Sequence, residues 1–194
     1  MTDSSCPELD DNDIRLLISL AHVLVTQPRA TLQELAQAVG ISKASLYRFC
    51  RTREQLVEWL VLYSAQTISQ MLKTVGLEAG PPLNALTSLI DQHLSHQELT
   101  TFLEYYWRDG DTTLEAQRQQ WQVTMDAFFL RGQREGVFRI DISAPALTEL
   151  WIATMIGLTD AERRGRIARV GLNTLIKSVF LHGTLAHSTS PLSQ

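Results

Sequence analysis

The chain has 194 residues, 44% of them hydrophobic and 20% charged, with ten Gly and six Pro, a balance that builds a packed core and excludes disordered and fibrous classes. Apolar runs such as Leu150–Leu158 fall far short of the roughly 18–20 residues of a membrane span. The net charge of −4 argues at first against nucleic acid, but residues 41–53 carry Lys43, Arg48, Arg51 and Arg53 with no acid, leaving −8 on the remainder.

The first residues, Met-Thr-Asp-Ser-Ser, lack the basic and apolar regions of a secretory signal. Cys6 and Cys50 make neither a disulfide framework nor a CxxC pair, so a reducing, cytoplasmic location is expected. From Ile14 to Val25 the pattern is helical, with Arg15, Ser19, His22 and Thr26 as a solvent stripe. Asp10, Asp11 and Asp13 fall at its N-terminus, where acids complement the helix dipole, and Pro28 ends it.

Thr31 can cap a short helix over Leu32–Val39 that puts Leu32, Leu35, Ala36 and Val39 on one face. Gly40 suits a left-handed turn, and Ser42 can cap a second short helix from Lys43 to about Phe49. Small Ala36 lets the second helix approach, and Ile41 and Leu46 pin it. A small residue, a turn glycine four positions on and an aliphatic six after that form a helix-turn-helix pattern. The second helix then offers Ser42, Lys43, Ala44, Ser45, Tyr47 and Arg48, short side chains with a phenol and two cations suited to phosphates or base edges. The same pattern also fits a helix pair with a solvated basic face inside an ordinary bundle.

A long helix follows over about residues 53–73, and Gly76, Gly80, Pro81 and Pro82 break it. Helical patterns continue at about 83–95, 98–108, 113–134, 144–160 and 165–185, with Ser143 as N-cap and Pro145 in the first turn of the penultimate one. The expected fold is all-α with about nine helices, and no sustained period-2 strand pattern appears. His93 and His96 stand three apart without a Cys or carboxylate cluster and read as solvated, so no metal or other cofactor is expected. With no GxSxG, HExxH, P-loop or GxGxxG pattern, the chain does not read as an enzyme.

The run from Thr31 to Leu56 resembles the N-terminal domain of the TetR/AcrR family of bacterial transcriptional regulators. The matching elements are Thr-x-x-x-Leu-Ala at 31–36, Gly40-Ile41-Ser42, Leu46-Tyr47 and the basic-Glu-x-Leu element at Arg53-Glu54-Gln55-Leu56. The order of helices extends the likeness over nearly the whole chain. Four positions depart from the family pattern: Ala44-Ser45 replaces a usual Gly-Thr, Cys50 an aromatic and Arg53 a lysine.

The resemblance implies a DNA-binding head at residues 1–55 and a ligand-binding and dimerisation body at 56–194, joined through the helix at about 53–73. It implies that Tyr47 contacts a phosphate, that Lys43, Ala44 and Ser45 lie in the major groove, and that Thr31 and Arg53 flank the backbone contacts. It also implies a pocket in the body. Phe102, Tyr106, Trp107, Trp121, Met125, Trp151 and Met155 are its candidate lining, for an apolar or aromatic small molecule, although Trp121, Met125 and Phe128 on one stripe also suit a plain core. Two apolar stripes, with Leu147 and Leu150 on one and Leu172, Leu175, Ile176 and Val179 on the other, suit a four-helix dimer interface or the body's own core, and the resemblance favours the dimer. The implied function is a homodimeric regulator, of the repressor type, that releases double-stranded operator DNA when its ligand binds. Two other readings are a DNA-binding protein whose body binds a protein partner, and a helical binding protein or enzyme with an incidental helix-turn-helix.

Overall fold

Asp10 starts the first helix by accepting bonds from the Asn12 and Asp13 amides at 2.8 Å, and Asp13 returns the contact to the Asp10 amide. The structure, a computed structural model, describes residues 9–106 and 114–185. Among these it forms nine helices: α1 (Asp11–Thr26), α2 (Leu32–Ala38), α3 (Lys43–Phe49), α4 (Arg53–Thr74), α5 (Pro82–Ser95), α6 (Gln97–Tyr106), α7 (Glu115–Arg134), α8 (Ala144–Arg163) and α9 (Leu172–Thr184). The all-α reading therefore holds. The only β pairing among the described residues is an isolated antiparallel bridge between Phe138 and Leu185.

Two compact units emerge. The first takes in α1, α2, α3, α4 as far as Ser69, and α6. Its core joins Leu17, Leu20, Ala21 and Leu24 of α1 to Leu35, Ala36, Leu46, Leu56 and Leu60, with Leu99 and Phe102 from α6. Each such Leu or Phe contributes roughly 1.5–3 kcal/mol on burial, which is how helices as short as α2 and α3 persist despite being far below the length of an independently stable helix. The expected stripe of Arg15, Ser19, His22 and Thr26 lies on the opposite side of α1, with all four exposed.

The second unit comprises the end of α4 from Gln70 with α5, α7, α8 and α9. Phe128, Phe129 and Phe138 pack against one another within 5.7 Å, and Phe180 meets both Phe129 and Trp151. Arg131 of α7 fastens the turn after α4 by donating to the Leu77 and Gly80 carbonyls at 2.9–3.3 Å. The Gln133 amide holds the loop between α7 and α8 through the Arg139 and Ile142 carbonyls. Ser143 caps α8, with Pro145 in its first turn as expected.

The last helix differs from the periodicity reading. It starts at Leu172 rather than near residue 165, and α8 runs on to Arg163. Gly165 and Gly171 both adopt positive φ, 69° and 84°, and the Arg166 amide closes α8 by bonding the Ala161 carbonyl at 2.8 Å. Those two left-handed turns end one helix and delay the next. No helix among the described residues is long and apolar enough to cross a membrane.

Candidate nucleic-acid interface

Three local devices set α3 in place. The Thr31 hydroxyl and amide both donate to the Glu34 carboxylate at 2.8 Å, and the Glu34 amide returns to the Thr31 hydroxyl, a reciprocal cap on α2. These bonds favour the charged carboxylate and hold Glu34 below its usual pKa, the Thr31 amide contributing most. Gly40 then turns the chain at φ 75°, and the Ile41 amide bonds back to the Ala36 carbonyl at 3.0 Å. Ser42 caps α3 by accepting from the Ser45 amide at 3.0 Å.

Within the turn, Ala36 and Leu46 are fully buried, as the spacing of small and aliphatic residues requires. The opposite side of α3 is open: Ser42, Lys43, Ala44, Tyr47 and Arg48 are exposed and Ser45 is half-buried. Tyr47 leaves 44% of its surface to solvent, with Lys43 Nζ 5.6 Å from its ring centroid. Lys43 also donates to Gln33 Oε1 on α2 at 3.3 Å, and Arg48 to the Ser45 hydroxyl at 3.4 Å. A phenol and two cations thus share one exposed helix face with short side chains between them. That is a surface that can approach a phosphate backbone closely and neutralise it.

At the start of α4, Thr52 Oγ1 accepts from the Gln55 amide at 3.1 Å, and Gln55 Oε1 accepts from the Arg51 amide at 2.8 Å. Arg51 is exposed, so the positive field of α3 continues into this turn. Arg53 turns inward instead. Its guanidinium donates to the Pro28 carbonyl at 2.5 Å, the Ala30 carbonyl at 3.2 Å and the Tyr106 hydroxyl at 3.2 Å. Burial raises the Tyr106 pKa, partly offset by the Arg53 charge beside it. Cys50 fills an interior position below α3, and burial pushes its thiol up to about 11.

The candidate ligand residues fall into different surroundings. Phe102 is fully buried in the first unit, where the half-buried Tyr106 stacks on it at 4.4 Å. Met125, Trp151 and Met155 are buried in the second unit, Trp121 is half-buried on α7, and Trp107 lies outside the described residues. A cleft of about 410 Å³ opens elsewhere, lined by Gln27, Pro28, Arg29, Ala30, Glu34 and Tyr105. None of the six described candidates lines it.

The candidate interface residues also divide. Leu147, Leu172 and Ile176 are at most 2% exposed and pack the protomer's own core, which leaves them no surface for a partner. Leu150, Leu175 and Val179 keep 37–51% of their surface open. Thr174, Ser178, His182 and Gly183 join the last two on an exposed face of α9 without a charged side chain.

Sequence reasoning missed Gln33, which braces Lys43 from ten residues away, and the carbonyls of Pro28 and Ala30 that hold Arg53. The Thr-x-x-Gln spacing at Thr52 and Gln55 was a visible capping signal.

No family model matches the chain. It is 46% identical over 178 residues to the HTH-type transcriptional regulator NfxB of Pseudomonas aeruginosa, covering 90% of this chain and 95% of that one. Among solved structures, the ketosteroid transcriptional regulator KstR2 of Mycobacterium tuberculosis aligns with a TM-score of 0.71 at 16% identity over 93% of this chain and 98% of its own. The MbdR regulator from Azoarcus sp. CIB aligns with a TM-score of 0.71 at 18% identity over 88% and 98%. The TetR family regulator PfmR of Thermus thermophilus gives 0.63 at 19% identity over 87% and 97%. At these identities the structural matches show the fold.

Proposed function

The chain belongs to the TetR/AcrR family of transcriptional regulators, and from that premise we propose that it acts as a homodimeric repressor whose α3 reads operator DNA. One observation carries the reading: Lys43, Tyr47 and Arg48 stand together on the exposed face of a helix whose other side is locked by Ala36 and Leu46. Lys43, Ala44 and Ser45 enter the major groove in this reading, with the Lys43 ammonium reaching a phosphate at its rim; Tyr47 and Arg48 meet further phosphates, and Ser42 and Thr31 border them through the helix ends they cap. Residues 1–55 are the DNA-binding head and residues 56–194 the regulatory body.

Two recognition helices related by a two-fold axis read two half-sites of a near-palindrome. Leu150 of α8 with Leu175 and Val179 of α9 supply the apolar surface for that pairing, a four-helix arrangement across the axis. An apolar or aromatic ligand held near Trp121, Met125, Trp151 and Met155 favours the arrangement in which the two helices no longer match successive grooves, and DNA is released. A second reading gives the body a protein partner in place of an inducer. Its support is the burial of Met125, Trp151 and Met155, which a ligand would have to displace.

Selection of bound fragments from genomic DNA tests the first part. Recovery of a near-palindromic site supports the dimeric reader, and recovery of no enriched site contradicts it. Titration of the DNA complex with a panel of apolar and aromatic compounds separates the two readings of the body, since only the first predicts release.

A further inference from the structure

We infer that Arg53 is a positioning residue which, with the Tyr106 hydroxyl, fixes the turn leading into α2 and thereby sets where α3 stands, and that it is not a phosphate ligand. This rests on the reading of α3 as the recognition helix. The four groups concerned come from three separate stretches of the first unit. Arg53 opens α4, Pro28 and Ala30 form the turn between α1 and α2, and Tyr106 ends α6.

The geometry suits a planar fork and not a point charge. Arg53 Nη2 donates to both the Pro28 carbonyl and the Tyr106 hydroxyl, while Nε donates to the Ala30 carbonyl. The Tyr106 hydroxyl donates in turn to the Pro28 carbonyl at 3.4 Å, so that one oxygen receives both residues. Tyr106 is itself anchored by stacking at 4.4 Å on Phe102, a fully buried member of the core that includes Leu17, Leu20 and Leu24 of α1. The turn is therefore tied to the core through two side chains whose own positions are fixed.

The consequence for α3 follows along the chain. Ala30 precedes Thr31, the cap of α2, and α2 reaches α3 through the Gly40 turn and the Lys43–Gln33 bond. Releasing the Pro28 and Ala30 carbonyls frees the entry to α2, and α3 loses its fixed approach to the groove without losing any group that touches DNA. Lysine keeps a charge for a phosphate but cannot span two carbonyls and a hydroxyl in one plane. The conservative substitution therefore separates the two roles.

The test uses the full-length protein and a labelled genomic fragment it selects, with affinity measured across a range of salt concentrations. Arg53→Lys and Tyr106→Phe are each expected to weaken binding about fivefold to tenfold, the scale of one net hydrogen bond, with the slope of log affinity against log salt unchanged. Lys43→Ala, the comparison variant, flattens that slope by about 0.9, the counterion release of one phosphate contact. The double variant Arg53→Lys, Tyr106→Phe loses no more than the worse single one, because both act through the same turn. Wild-type affinity in Arg53→Lys overturns the inference, and so does a slope flattened by about 0.9 in Arg53→Ala. Thermal melts in the same buffer confirm that each variant is folded at the assay temperature, and Tyr106→Phe, which removes one hydroxyl, decides the matter if Arg53→Ala does not fold. Unchanged binding and slope in Lys43→Ala would instead count against α3 as the reading helix, leaving the two failures distinct.

Discussion

The ammonium of Lys43 stands 5.6 Å from the centroid of the Tyr47 ring, one turn along α3, while donating to Gln33 on the neighbouring helix. The pairing holds a cation and a phenol at a fixed spacing on the exposed face. Lys43→Arg is expected to keep the salt dependence of DNA binding, because the charge remains. Lys43→Ala weakens binding to all fragments alike and reduces the salt slope by about one, measured by fluorescence anisotropy in a salt series.

Gly40 sits at φ 75° with open space around its missing side chain, so its replacement meets backbone strain and no clash. Gly40→Ala is expected to destabilise the fold by about 1–2 kcal/mol in urea unfolding, and Gly40→Asn by less, since asparagine tolerates the left-handed region.

Gly132 presents the opposite case. A methyl built there would lie 2.3 Å from Cδ2 of Phe138, inside the aromatic cluster of the second unit. Gly132→Ala should cost about 1–3 kcal/mol, the usual scale of an overpacked core. Combining it with Phe138→Leu should cost less than the two separate losses added together, which a double-mutant cycle by urea unfolding measures directly.

How much of this was legible in the sequence depends on how local the cause is. The caps at Thr31, Ser42 and Ser143 and the turn at Gly40 act within four residues, and their types and spacings announced them. The burial of Ala36 and Leu46 followed from the same window. Arg53 was legible as a cation but not as a buttress, because its acceptors at Pro28, Ala30 and Tyr106 are 23 to 53 residues away. The two apolar stripes of α8 and α9 were visible, yet periodicity could not tell the inward Leu147, Leu172 and Ile176 from the outward Leu150, Leu175 and Val179. The start of α9 was set by two glycines whose left-handed turns compete with a continuing helical period.

The Thr31–Glu34 cap carries a pH signature. Its carboxylate is held below the ordinary value of 4.5, so the stabilisation is complete above that pH and is lost as the pH falls through the lower folded value. Glu34→Gln should therefore reduce the loss of stability on acidification below pH 4.5, read from thermal melts of the two proteins in an acid series.

The apolar patch on α8 and α9 predicts a change of assembly. In the proposed dimer, Leu150→Glu with Val179→Glu places charges on the apolar face, so the variant should sediment as a monomer under conditions where the unsubstituted chain sediments as a dimer. Ile176→Ala, in the core, should instead lower stability by roughly 2–5 kcal/mol. A doubly substituted variant that sediments as a dimer would contradict the proposed interface on α8 and α9.

The central claim is that the exposed face of α3 reads DNA, and the variant Lys43→Ala, Tyr47→Ala tests it most directly. Binding is measured to a fragment that the wild-type protein selects from its own genome. A loss of at least about tenfold is expected, with a shallower salt dependence and an unchanged melting temperature. Wild-type affinity in the folded double variant would contradict it.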